Sequence, residues 1–303
     1  MAYRFEKLES PEDAVKRIAT EEIEDAVSII DDDSVDTEKT IHEARKRCKE
    51  IRGLIRIVRP AFEETYRYEN SWFRDAAREL APLRDAQVVI QTFEGLNEAA
   101  EQPQQVQERL AHVHEKLVAR KHNIEKDQIN LTEKIELFRA RMLEAQKRVT
   151  RWKLETHDFP AIASGFKKTY RRGKRALEAA GETPTPEVLH EWRKRVKYHW
   201  YHICLLQQMW DSLLSKLEKE VHHLSDLLGD NHDLDVLRDI IETDFSVDEL
   251  GGDTTQLINE LIDKKRAALQ HAAFSLGPRI YAEKPKSIAN RFNTYWDIWR
   301  HEP

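Results

Sequence analysis

One pattern occurs twice in this 303-residue chain, and that repetition restricts the fold more than any other feature. Leu189-His190-Glu191-Trp192-Arg193-Lys194-Arg195-Val196-Lys197 repeats Ile41-His42-Glu43-Ala44-Arg45-Lys46-Arg47-Cys48-Lys49 at an offset of 148 (190 − 42). The same offset lays Leu228 on Leu80, Asp233 on Asp85, Val236 on Val88 and Thr185 on Thr37, with no gap. Matches in separate places at one spacing mark an internal duplication. The expected organisation is a first repeat over residues 1–157 and a second over residues 158–303, the latter with an added C-terminal helix, together forming one domain.

The repeated unit reads as helical. Nine Gly and ten Pro leave few turns, Val106–Val149 contains neither, and no stretch sustains period-two alternation. The spacing predicts helices over 11–30, 38–66, 71–93 and 103–153, then 159–180, 186–211, 213–243 and 254–275. Ser10 before Pro11 and Thr37 before the second helix are the expected caps. Pro82 should kink or break the third helix, Gly95 to Pro103 should turn, and the long fourth segment has a possible restart near Asn130 or Thr132. Four amphipathic helices close one bundle core, so the fold class is all-α. Ile288, Phe292, Tyr295 and Trp299 give a last helix that packs back on the second repeat; an aromatic tail for a partner is the alternative.

Within residues 40–59, Ile41, Ala44, Cys48, Ile51, Ile55 and Val58 fall on one helical face. One position further round runs a stripe of cations: His42, Arg45, Lys49, Arg52, Arg56 and Arg59, opposed only by Glu43 and Glu50. A solvated face mixes signs to form i,i+4 pairs, each worth about 0.3–0.5 kcal/mol. This stripe lacks the acids, and at about 25 Å long it suits a long polyanion. Charge-assisted hydrogen bonds to phosphate oxygens contribute ~1.5–3 kcal/mol each; the arginines offer forks and Lys49 and Lys197 point charges. The second stripe thins, with Trp200, Cys204 and Gln207 where the first has Arg52, Arg56 and Arg59. The first repeat should therefore dominate binding.

The net charge of −6 conceals segregation. Residues 21–38 hold nine acids and no base, whereas residues 165–175 hold six bases and no acid. Local field selects the partner once screening cuts interactions off beyond about 8 Å. The acidic segment is expected to be either a solvated face or a tethered competitor for an incoming anion. Cys48 and Cys204 form no disulfide framework or zinc pattern, and the start, Met-Ala-Tyr-Arg-Phe-Glu-Lys, has no signal core. A reduced cytoplasm is the expected location.

With both His-x-x-Arg-x-x-x-Lys segments and the later Asp85 and Asp233 in place, the chain resembles the CHAD family, the conserved histidine α-helical domain, over most of residues 11–280. His42, Arg45, Lys49 and Arg52 match its first basic helix, and His190, Arg193, Lys197 and Tyr201 its second copy. Leu83-Arg84-Asp85 and Leu228-Gly229-Asp230-Asn231-His232-Asp233 resemble its Asp-bearing segments. Tyr170-Arg171-Arg172-Gly173-Lys174-Arg175 resembles the basic helix between the halves. The resemblance implies two pseudo-symmetric four-helix bundles whose basic residues line a central groove for inorganic polyphosphate. It also implies polyphosphate granules or polyphosphate-metabolising proteins as partners. The triphosphate-cleaving tunnel domain fused to or encoded near many relatives is not expected in this chain. The expected contacts are His42, Arg45, Lys49, Arg52, Arg56, Arg84, Lys167, Tyr170, Arg171, Lys174, His190, Arg193 and Lys197. Asp85 and Asp233 should hold cations in register.

Three other chemistries compete for the same residues. His42-Glu43-Ala44-Arg45 is similar to the phosphoacceptor helix of sensor histidine kinases, but the chain offers no Gly-rich nucleotide loop. Glu187-x-x-His190 and Glu220-x-x-His223 have di-iron spacing, yet Arg193, Lys194 and Lys197 make a poor neighbourhood for a dication. Non-specific RNA or single-stranded nucleic acid is the alternative ligand. Single-strand binders interleave aromatic platforms with cations, and only Tyr170 lies within the stretches 42–59 and 167–175. The expected function is non-catalytic polyphosphate binding, with no cofactor or metal.

Overall fold

The computed structural model describes residues 3–97, 104–127 and 131–302, and no strand occurs among them. Helix α1 spans Pro11–Ile30, α2 Thr37–Ile57, α3 Glu63–Glu79, α4 Ala81–Asn97, α5 Gln104–Asp127 and α6 Leu131–Val149. These are followed by α7 at Asp158–Glu182, α8 at Pro186–Leu206, α9 at Asp211–Thr243, the single turn α10 at Val247–Leu250, α11 at Gly252–Ile280 and α12 at Pro285–His301. The all-helical expectation holds for the described residues, and several boundaries shift for local reasons.

Ser10 caps α1 by accepting from the Asp13 amide at 3.1 Å, and Thr185 caps α8 through Val188 at 3.4 Å. At α2 the cap is Asp36, accepting from Lys39 at 3.0 Å, not the expected Thr37. The helix also stops at Ile57 instead of reaching residue 66, because Pro60 enters a 3-10 turn over Arg59–Ala61. The third expected helix is two, α3 and α4, parted at Leu80 with Pro82 in the first turn of α4. Its counterpart α9 has no proline and runs unbroken for 33 residues. Gly95 lies within α4 rather than in a turn. The expected turn at Pro103 and restart at Asn130 lie outside the described residues, and α6 is helical from Leu131.

In the first half α2 packs on α1 and α3, α6 on α1, and α5 on α4. In the second half α8 packs on α7 and α9, α12 on α7, and α11 on α9. The halves meet where α2 crosses α8 and α7, and where α4 lies against α9. Two glycines allow the close crossings. A Cβ on Gly53 would lie 2.9 Å from the Tyr201 side chain, and one on Gly165 would lie 1.9 Å from the Ile57 carbonyl oxygen. Thus α7 rests directly on the end of the α2 backbone. The terminal helix α12 packs back as expected, burying Ile288, Phe292, Trp296 and Trp299, with Phe292 stacked 4.6 Å from Phe166.

Candidate functional site

The apolar seam of α2 is buried at Ile41, Ala44, Cys48, Ile51 and Ile55, which fixes the direction of the stripe beside it. The first part of that stripe meets the matching residues of α8. Lys49 is flanked by Arg45 from its own helix and by Arg193 and Lys197 from the other. Its ammonium keeps access to solvent, yet crowding by protein and then those three cations pull its pKa down to about 8. Lys197 is lowered too, first by burial, and its ammonium lies 3.9 Å from the Trp200 ring centre. No carboxylate pairs with Lys49, Lys197 or Arg193 among the described residues.

Arg45 reaches Asp85 at 3.4 Å, in keeping with a registering role for that acid. Asp233 makes no comparable ion pair among the described residues; burial raises its carboxyl pKa against the opposing charge of Arg193. Arg84 approaches His42, Arg45 and Asp233 closely enough to influence each, and its guanidinium reaches Gln91 at 3.5 Å. The side chain of Leu83, beside it in the Asp-bearing segment, lies outside the described residues. His42 is held below the ordinary imidazole value by partial burial and then by Arg84, and His190 by burial and then Lys194. The His190 ring centre lies 4.1 Å from that of His232, the planes tilted by 43°. No three metal-ligating side chains converge among the described residues.

Further along α2, Arg52 and Arg56 both donate to the Asn70 carbonyl oxygen of α3, at 3.3 and 3.2 Å. Arg52 also reaches the Tyr198 hydroxyl at 3.2 Å, and Arg56 lies 3.8 Å over the Tyr198 ring. These partners are uncharged. At the corresponding place in the second half Glu218 accepts from the Trp200 indole and lies 3.9 Å from the Cys204 sulfur. One half therefore pairs two arginines with a neutral amide, and the other pairs two uncharged groups with an acid.

Beyond Arg56 lies a recess lined by Arg56, Arg59, Lys168, Arg172, Arg195 and Tyr198, with Gly165 and Thr169 at its wall. Burial and then neighbouring cations lower the pKa values of Arg172 and Lys168. The α7 residues expected as contacts lie elsewhere than in this recess. Tyr170 is fully buried and donates to the Ile280 and Glu283 carbonyls at 3.3 and 3.2 Å. Lys174 donates to the Tyr281 and Glu283 carbonyls at 3.0 and 3.3 Å, compensating the negative end of α11. Lys167 and Arg171 are exposed and do not line the recess. Arg59 belongs to the sequence stripe but is not among the expected contacts. Neither are Lys168, Arg172, Arg195 and Tyr198, although the i,i+4 spacing of Lys168 and Arg172 beside the Phe166–Tyr170 seam is a readable signal.

Several donors here have no acceptor among the described residues. Buried guanidinium nitrogens of Arg45 (Nε and Nη1), Arg56, Arg59 and Arg193 (Nε in each) lack hydrogen-bond partners there, as does His190 Nδ1. The acids of α1 do not supply them. Glu22 and Asp25 grip Arg47 at 3.2 and 3.7 Å, Glu21 grips Arg17 at 3.2 Å and Asp31 grips Arg139 at 2.7 Å. The acidic helix thus engages bases outside the stripe.

The family model of the CHAD domain matches residues 18–242. No curated protein matches the chain.

Proposed function

We propose, from the premise that this chain belongs to the CHAD family, that it binds inorganic polyphosphate without cleaving it, in a basic groove between two related helical bundles. The observation that carries this reading is the set of buried guanidinium donors on Arg45, Arg56, Arg59 and Arg193 with no acceptor among the described residues. A buried unmet donor costs about 1–3 kcal/mol, more when charged. Phosphate oxygens arriving from outside satisfy several at once.

The duplication is supported by the element bounds: an offset of 148 carries the start of α3 at Glu63 onto the start of α9 at Asp211. Matching helix pairs pack alike in the two halves, so residues 1–157 and 158–303 serve as the two bundles of one domain. The first bundle contributes more, since Asn70 leaves the charges of Arg52 and Arg56 unopposed, whereas Glu218 adds a carboxylate beside the uncharged Trp200 and Cys204. A flexible phosphate chain is favoured over RNA because the aromatic faces near the cations are already covered, Tyr198 by Arg56 and Trp200 by Lys197. No helix among the described residues is long and apolar enough to cross a membrane. The proposed setting is the cytoplasm, at polyphosphate granules or beside polyphosphate-metabolising proteins.

The test is a titration with long-chain polyphosphate, triphosphate and single-stranded RNA at equal phosphate concentration, followed by sizing of the recovered chains. Tightest binding of long polyphosphate, recovered at unchanged length, is expected. Preference for RNA, or shortened chains, overturns the reading.

A further inference from the structure

The cation line of α2 is open at one end and closed at the other. At its beginning the His42 side chain is 46% exposed. At its end α7 lies across it, with Gly165 seated on the Ile57 carbonyl. The recess lies against that wall. Of its five cations, only Arg59 and Arg195 have carboxylate partners, Glu63 at 3.8 Å and Glu191 in close contact. Arg56, Lys168 and Arg172 have none among the described residues, so three positive charges stand unopposed. The Nε donors of Arg56 and Arg59 are buried there without acceptors.

An anion that fits a blind end differs from one that fits an open line. An internal phosphate of a linear chain carries one negative charge, two free oxygens and a bridge on either side. A terminal phosphoryl group carries three free oxygens and a second ionisation near pH 6 to 7, about as in a phosphate monoester. We infer that the recess formed by Arg56, Arg59, Lys168, Arg172 and Arg195 captures the terminal phosphoryl group of a polyphosphate chain, and so sets its register along α2. This rests on the polyphosphate reading above. The enclosed space is about 10 Å³ as it stands, room for about one water. Admission therefore requires the long side chains of Lys168 and Arg172, the two cations that α7 brings to the recess, to swing outward and close again on the oxygens.

The test compares polyphosphate of one length with its ends free and with its ends condensed to a neutral alkylamine. The second form loses a free oxygen and a charge at each terminus while its interior is unchanged. Free-ended chains should bind about tenfold more tightly, the lower value of one charge-assisted hydrogen-bond set. In Lys168→Ala/Arg172→Ala protein their affinity should fall to that of capped chains. Orthophosphate at matched phosphate concentration should leave the free-end advantage in place, because a lone ion has no chain in the groove. Erasure of the advantage by orthophosphate would make the free ion the occupant and overturn the chain-end assignment. Equal binding of free and capped chains by the unaltered protein overturns the end pocket while leaving the groove intact. Absence of binding by both forms overturns the polyphosphate reading itself. The comparison on unaltered protein decides the matter even if the double variant fails to fold.

Discussion

At the residue scale Lys49 carries the clearest imprint of the cations around it. Crowding and the charges of Arg45, Arg193 and Lys197 lower its pKa to about 8, from an ordinary value of about 10.4. A polyanion bound beside it favours the ammonium form, so its pKa rises on binding. Between the free and bound values the complex therefore holds more protons than the free protein, and affinity declines as pH climbs through that window. Polyphosphate affinity should fall severalfold from pH 7.5 to 9.5, with proton uptake on binding detectable as a buffer-dependent heat. Lys49→Arg protein, whose cation does not titrate there, should show a flatter profile. An unaltered profile in that variant would assign the pH dependence to another group. His42 and His190 are both shifted below the ordinary imidazole value by burial and neighbouring cations, so any charge they add comes on the acid side of this window.

At the scale of elements, residues 148 positions apart differ in chemistry. Asn70 on α3 and Glu218 on α9 hold matching positions, one facing Arg52 and Arg56 and the other Trp200 and Cys204. Asn70→Asp should therefore place a carboxylate within about 3.3 Å of two binding arginines. The expected outcome is severalfold weaker polyphosphate binding with unchanged or slightly raised thermal stability, the partly exposed pair contributing at most about 1 kcal/mol. A drop in Tm together with the lost affinity would point to disruption of α3 and against charge competition. This arrangement explains what the sequence disclosed. The α2 stripe was legible because its apolar seam has a strict three-and-four spacing that fixes the helix phase. The α7 contribution was not, since each position turns a helix by about 100°. A run of six bases there surrounds the seam, and only burial of Tyr170 shows that Lys168 and Arg172, not Lys167 and Arg171, face α2. Arg195 and Tyr198 were hidden for another reason. They lie on the flank of α8 away from the repeated His190–Arg193–Lys197 stripe, and reach the site only through the crossing of α2 and α8 at Gly53. The break at Leu80 was partly legible from Pro82, whereas the stop at Ile57 required weighing Pro60 against a strong apolar pattern.

For the whole molecule, charge is sorted by position: a chain of net charge −6 keeps its acids on α1 occupied with Arg17, Arg47 and Arg139. Arg45, Lys49, Arg193 and Lys197 are gathered where α2 crosses α8. Beyond the Debye length the excess acids are screened, so a polyanion close to the groove responds to the local cations. The central claim is that many phosphates are neutralised together along this line. The most direct measurement is the salt dependence of affinity for polyphosphates of increasing length. The account predicts that log affinity falls linearly with log salt, with a slope that steepens from triphosphate upward until the groove is filled and then stays constant. A slope and affinity the same for triphosphate as for long chains would contradict it, reducing the site to a pocket for a small anion.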